Sequence, residues 1–265
     1  EYKIITEIFL YKYMNDMFGH QAKMQNDRLG KAEKWDVEYD SFTTDEEDDL
    51  FDFLPASTPK LRHEHTLAHL INASNQSNFA DMLDATLLNI ADLNAGIFSM
   101  TTSTKTKITI FERITTLIND VDKRDNFAKA LVSHLATFDF EDAFQQTYDF
   151  FSTIFEYLIK DYNKDGGGKY AEYYTPRSVA SIMARLLVPD AANIHNVTCY
   201  DPSAGSGTLL MALAHQIGVE RCQIYSQDIS QKSSQMLRLN LILNQLVKSI
   251  QNIVKGDTLL EPAHK

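Results

Sequence analysis

From residue 197 onward the apolar and polar positions follow a strand-then-helix rhythm. Val197-Thr198-Cys199-Tyr200 is a β-type run closed by Asp201, and beyond the small residues that follow, the apolar spacing turns helical through Leu209, Leu210, Met211 and Leu213. Cys222-Gln223-Ile224-Tyr225-Ser226-Gln227, closed by Asp228, repeats the strand and is followed by a predicted helix over about 230–246. Ile250 to Val254 makes a third strand, with Lys255-Gly256-Asp257 as its turn. Strands alternating with helices predict an α/β domain on a parallel, doubly wound sheet.

The front of the chain has a different period. Ile4, Ile5, Ile8, Phe9, Tyr13, Met14, Met17 and Phe18 are spaced for an amphipathic helix, with Gly19 as its expected stop. Further helices are predicted over roughly 61–73, 78–92, 107–119, 125–137 and 142–160, the last with Phe144, Tyr148, Phe151, Phe155, Leu158 and Ile159 on one stripe. Asp45-Glu46-Glu47-Asp48-Asp49 reads as a solvated loop or helix start. Gly166-Gly167-Gly168 is the expected boundary between a helical domain, 1–165, and a second domain, 166–265. After it, Thr175 is the expected cap and Pro176 the first position of a helix reaching about Leu187.

Composition narrows the function. No apolar run approaches a membrane span, and the N-terminus carries no signal-peptide pattern. Cys199 and Cys222, the only cysteines, fall in predicted strands and are expected as free thiols, which points to the cytoplasm. The net charge of −11 argues against a freestanding nucleic-acid module. That excess is concentrated in residues 1–60, with 7 Lys/Arg against 14 Asp/Glu, whereas 61–265 hold 18 against 22. His63, His65 and His69 are read as surface polar residues. His-Thr-Leu-Ala-His lacks the glutamate of H-E-x-x-H, so no metal site is expected.

The turn Asp201 to Thr208 carries the chemistry. Gly205 and Gly207 let a ligand approach the backbone, Ser206 or Thr208 can cap the next helix, and that helix offers unpaired N–H groups. Gly207 is followed by Thr208-Leu209 rather than Lys-Ser/Thr, which excludes a P-loop. Leu210 stands at the third glycine position of G-x-G-x-x-G, which excludes the dinucleotide fingerprint. A carboxylate such as Asp201 would repel a pyrophosphate and could accept hydrogen bonds from a cationic amino-acid end, as in S-adenosylmethionine. Asp228, at the end of the second strand, is the ribose candidate, and Asp257 could accept from an adenine amino group. Tyr173 and Tyr174, just ahead of the capped helix, could wall a flat ring.

Glu172-Tyr-Tyr-Thr-Pro-Arg177, Asp201-Pro-Ser-Ala-Gly-Ser-Gly207, Gln227-Asp228 and Gly256-Asp257 resemble the cofactor motifs of gamma-order N6-adenine DNA methyltransferases. Among these the likeness is to the modification subunit of type I restriction-modification enzymes. Glu1-Tyr-Lys3 with Phe9-Leu-Tyr-Lys-Tyr13 resembles the helix that opens that subunit's N-terminal domain. The resemblance implies an α-helical N-terminal domain followed by the first half of a Rossmann-like, S-adenosylmethionine-dependent methyltransferase domain. It also implies that Glu172, Tyr173, Tyr174, Thr175, Pro176 and Arg177 wrap the methionine end of the cofactor. Asp201, Ser203, Ala204, Gly205, Ser206, Gly207 and Thr208 would form the floor, Asp228 would bind the ribose and Asp257 the adenine. DNA would be reached through a separate specificity subunit, with a restriction subunit as further partner. Ala171 stands where the family often has glycine, and Asp228 replaces the more usual glutamate.

The family's catalytic motif, Asn/Asp-Pro-Pro-Phe/Tyr, occurs nowhere in the 265 residues, so no catalytic residue is assigned. The motif would hold the flipped adenine's amino group in line with the methyl carbon. The chain is therefore expected to be a fragment of an adenine-specific methyltransferase, inactive by itself, with an open edge on its first strand. Two other readings stand beside this one: a single-chain restriction or phage-defence methylase of the same order, and a non-catalytic helical assembly module.

Overall fold

The computed structural model describes residues 2–102, 107–145, 153–154, 156–157 and 175–264. The chain forms two compact units, the first made of residues 1–96 with 109–145 and the second of 97–108 with 146–265. The boundary expected at Gly166-Gly167-Gly168 lies outside the described residues.

In the first unit, helices α1 (Tyr2–Gln25), α2 (Asp27–Lys31), α3 (Trp35–Tyr39), α4 (Thr44–Phe53), α5 (Leu67–Ala73) and α6 (Phe79–Leu93) are followed by the short α7 (Ala95–Phe98) at the crossing into the second unit. Helices α8 (Arg124–Leu135) and α9 (Glu141–Gln145) complete it. α1 is the core of this unit and is not amphipathic. Tyr11, Tyr13, Met14 and Phe18 are buried, and so are Lys12 and Asn15, one on each side of Tyr13 and Met14. A buried polar group needs a partner. Lys12 Nζ meets Asp16 at 2.9 Å, Asp16 Oδ2 accepts from Phe140 N, and Asn15 Oδ1 accepts from Leu67 N. Burial still pushes the Asp16 carboxyl above its usual range, against the pull of Lys12.

Gly19 does not stop α1, which runs on to Gln25. A Cβ at Gly19 would lie 2.3 Å from the Trp35 ring, so the glycine permits an indole to pack on the helix. The acidic run is the first part of α4, opened by a capping box between Thr43 and Glu46. Its Glu47 is fully buried and is matched by Arg62 at 3.0 Å, by His63 N at 2.6 Å and by His63 Nδ1 at 2.9 Å. His65 is also buried, which corrects its reading as a surface residue. It accepts from Arg62 N at Nδ1, and Tyr11 Oη donates to its carbonyl. Ligand atoms of Glu47, His63 and Glu64 lie within 4.8 Å of one another, but Arg62 and His63 already occupy the Glu47 carboxylate.

The helix expected over 107–119 does not form. The stretch is dense in β-branched residues (Ile108, Thr109, Ile110, Ile114, Thr115, Thr116, Ile118), which favour extended backbone. It supplies the strand β2 (Lys107–Ile108) and a 3₁₀ turn at Thr115–Leu117, at whose start the buried Asp84 accepts from Ile114 N and Thr115 N. Of the helix expected over 142–160, α9 is described to Gln145; Tyr148, Phe151, Leu158 and Ile159 lie outside the described residues.

The second unit is built on a sheet of order β2-β1-β5-β4-β3, with β1 (Met100–Thr102), β3 (Val197–Asp201), β4 (Cys222–Asp228) and β5 (Ile253–Lys255). β3, β4, β5 and β1 run parallel, and only β2 is antiparallel, to β1. Three strands were legible in the sequence; β1 and β2 are too short to show a period. Ile250 to Asn252 form the end of a 3₁₀ segment ahead of β5 instead of opening the strand. Among the described residues β3 stands at the edge of the sheet. Helices α10 (Arg177–Leu187), α11 (Thr208–Ile217) and α12 (Gln231–Leu243) follow in order. Ala180 and Ala184 of α10 pack against Ala212 of α11, small side chains that allow close approach. Cys199 and Cys222 are free thiols. Their mutual hydrogen bond draws the Cys199 thiol down and pushes Cys222 up.

Candidate cofactor site

Because β3, β4 and β5 are parallel, their C-terminal ends share one rim. Asp201 is the last residue of β3, Asp228 the last of β4, and Asp257 lies two residues beyond β5. All three carboxylates are half-buried.

The turn after β3 is tied down residue by residue. Asp201 Oδ1 accepts from Ser203 N at 2.9 Å, a side-chain mimic of a turn that reverses the backbone at once. Ala204 N donates to Gln227 O at 3.2 Å, Gly205 N to Asp228 Oδ2 at 2.9 Å, and Gly207 N to Ala204 O at 2.8 Å. Gly205 and Gly207 have φ of 54° and 81°, left-handed values that carry a strain penalty for other residues. A Cβ on Gly207 would lie 2.2 Å from Leu237 Cδ1, whereas one on Gly205 would meet nothing within 4 Å. The first glycine thus faces open space and the second is packed on α12.

Neither Ser206 nor Thr208 caps α11. Gly207 is its N-cap, without a side-chain bond, and the two hydroxyls face each other at 3.2 Å. The left-handed backbone at Gly207 carries the chain into the helix in place of a capping side chain. Pro176 is the N-cap of α10, its carbonyl accepting from Ala180 N, so the helix starts at Arg177 and Thr175 lies one position further out. Glu172, Tyr173 and Tyr174 lie outside the described residues.

Asp228 spends one oxygen on each side of the site: Oδ2 on Gly205 N and Oδ1 on Ser230 N at 2.8 Å. A carboxylate has about four acceptor positions, so two remain for a diol. Asp257 Oδ1 accepts from Leu259 N and Leu260 N at 2.9 and 3.2 Å, which makes it the cap of the turn that follows. That turn is drawn to the first one, since Thr258 Oγ1 donates to Pro202 O at 2.6 Å. Gln227, buried beside Asp228, holds the same segment through Glu261 O and Ala263 N. The structure therefore brings together Asp201, Ser203 to Thr208, Asp228 and Asp257. Open space over Gly205 and the two remaining acceptor positions on Asp228 fit a ligand with a ribose diol.

The sequence reading passed over Gln227 as a holder of the third turn, and over Asn240, whose Nδ2 donates to Ser206 O at 3.1 Å. The available signal for Asn240 was two asparagines one helical turn apart, Asn240 and Asn244, in an otherwise apolar run.

A glycine turn after the first strand, an acidic residue after the second and a parallel sheet define the nucleotide-cofactor half of a doubly wound domain. Residues 146–265 match the family model described as N-6 DNA Methylase. The chain is 28% identical over 134 residues to the type I restriction enzyme MpnII methylase subunit of Mycoplasma pneumoniae, a match covering 49% of this chain and 24% of that protein. It is 23% identical over 121 residues to the HindI methylase subunit of Haemophilus influenzae, covering 44% and 26%. These matches span about a quarter of the length of the two relatives. A crystal structure of a type I restriction-modification system methyltransferase subunit from Streptococcus thermophilus superposes with a TM-score of 0.78 over 99% of this chain and 56% of that one, at 21% identity. That likeness is one of fold. It bears out the helical front and partial doubly wound sheet.

Proposed function

We propose that this chain carries the methyl-donor site of a DNA adenine N6-methylating subunit of the type I restriction-modification kind, and that the donor is S-adenosylmethionine. The observation that carries the reading is the Gly205 N to Asp228 Oδ2 bond, which joins the glycine turn to the strand-end carboxylate beside open space. The donor supplies an electrophilic methyl carbon on a sulfonium centre. In this reading Asp228 accepts from the ribose hydroxyls, Asp257 from the adenine amino group, and Asp201 with the 203–208 turn floors the site. Glu172 to Arg177 close it over the methionine end.

The acceptor side is not built from these residues. Asn/Asp-Pro-Pro-Phe/Tyr is absent from the 265, and holding the amine in line is a positioning effect on the order of 7–11 kcal/mol in well-oriented systems. DNA is reached through a specificity subunit, with a restriction subunit as further partner, which reconciles the chemistry with a net charge of −11. A second reading, an assembly module without donor binding, draws on the exposed face of α10, where Ile182, Leu186 and Leu187 are 59%, 76% and 70% accessible.

Incubation with methyl-labelled S-adenosylmethionine and unmethylated DNA tests the proposal. The expected result is donor retained on the protein and no label on DNA. Label on DNA would overturn the division between donor and acceptor halves, and no retained donor would favour the assembly reading.

A further inference from the structure

The C-terminal half of α12 is largely apolar and carries one buried amide near its end, Asn240. Leu237, Leu239, Leu241 and Ile242 are buried around Asn240, which is itself 3% exposed. An amide in such a place is costly unless both of its ends are bonded. Asn240 Nδ2 donates to Ser206 O at 3.1 Å, and its Oδ1 accepts from Asn244 Nδ2 at 2.9 Å. Asn244 Oδ1 in turn meets His215 Nε2 at 2.8 Å, at the far end of α11. An amide oxygen can only accept, so Nε2 carries the proton. The Ser206 and Asn240 carbonyls each take an Nδ2 donor, at 3.1 and 2.7 Å, which sets the sense of both amides, and His215 closes the far end of the relay.

The target of this relay lies within the glycine turn. Ala204 O and Gly205 N are bonded to Gly207 N and Asp228, which fixes the peptide between 204 and 205. Gly207 N is bonded to Ala204 O, so the Asn240 bond to Ser206 O fixes the other edge of the peptide between 206 and 207. The intervening peptide, Gly205 O and Ser206 N, has no partner among the described residues, and its plane is set by those two neighbours.

We infer that Asn240 is a positioning residue of the donor site. It holds the Ser206 carbonyl so that the Gly205–Ser206 peptide presents one face to the ligand, and the Asn244–His215 pair supports it by bonding the other end of its amide. The inference rests on the donor-site reading above and adds to it a residue that does not touch the ligand.

The test uses the 265-residue chain with Asn240→Asp, which keeps the shape and removes the donor, and His215→Leu, which leaves the Ser206 contact but removes the support beyond Asn244. Amide hydrogen exchange of the free protein at 205–207 and calorimetric titration with S-adenosylmethionine are measured well below melting. In Asn240→Asp, exchange at Gly207, the bonded amide of the peptide that Asn240 holds, is expected to quicken about tenfold and donor affinity to fall about tenfold, the scale of one buried hydrogen bond. His215→Leu should show a smaller change of the same kind. A tie serving only to hold α11 to α12 would instead raise exchange along both helices and leave affinity unchanged. Wild-type exchange at 205–207 with wild-type affinity in a folded Asn240→Asp protein would overturn the inference. If that variant does not fold, wild-type values in His215→Leu would do so. If the unaltered chain binds no donor while the exchange effect is present, the donor-site reading fails, and a role in positioning a ligand fails with it.

Discussion

The Gly205 amide donates to Asp228 Oδ2 at 2.9 Å, so the carboxylate after the second strand also holds the glycine turn after the first. With Ser230 N on Oδ1, Asp228 spans two backbone segments. Asp228→Asn puts an amide NH₂ against one of those two N–H donors and leaves it without an acceptor. The expected cost is about 1–3 kcal/mol of stability, before any ligand is considered. Urea unfolding of the two proteins checks it, and equal midpoints would show that the turn does not depend on the carboxylate.

Gly207 has no latitude. Its φ of 81° and a Cβ path ending 2.2 Å from Leu237 Cδ1 combine backbone strain with overpacking. Gly207→Ala should lose on the order of 2–4 kcal/mol. Gly205→Ala, facing open space, should lose only the strain part, about 1–2 kcal/mol. Thermal melts of the pair give the ordering, and a Gly205→Ala variant less stable than Gly207→Ala would contradict it.

His65 links the first unit to pH. Burial depresses its pKa below 6.5, partly opposed by Glu64 and Glu47, and its Nδ1 accepts from Arg62 N only while neutral. A folded-state pKa below the unfolded one gives stability that is complete above about 6.5 and is lost as pH falls through the folded value. The melting temperature should therefore fall on acidification from pH 7 to pH 5. His65→Gln, which keeps an acceptor but does not titrate, should show a shallower fall. Parallel curves would refute the assignment.

The sheet and its three acidic ends were legible because strands β3 and β4 and the helices after them each span several periods, and because Asp201, Asp228 and Asp257 punctuate them. β1 and β2 were not legible: three and two residues carry no period, and their place is set by pairing with β5 and with each other. Gly19 misled for a related reason. A glycine reads as a stop locally, whereas its cause is Trp35, sixteen positions on. His65 looked like surface because its burial depends on Tyr11 and Arg62, contacts that no local pattern encodes. In the site, residue types announced Asp228 and the glycines, but only the fold revealed that Asp257 serves as a cap and that Asn240 reaches Ser206.

The most direct test of the account is calorimetric titration of S-adenosylmethionine into the 265-residue chain and its Asp228→Ala variant, with circular dichroism to establish that both are folded. The account predicts one saturable site in the unaltered chain and an affinity at least tenfold weaker in the variant, since a diol loses both of its acceptors. Absence of binding to the unaltered chain, or equal affinity in a folded variant, would contradict a donor site at the ends of β3 and β4.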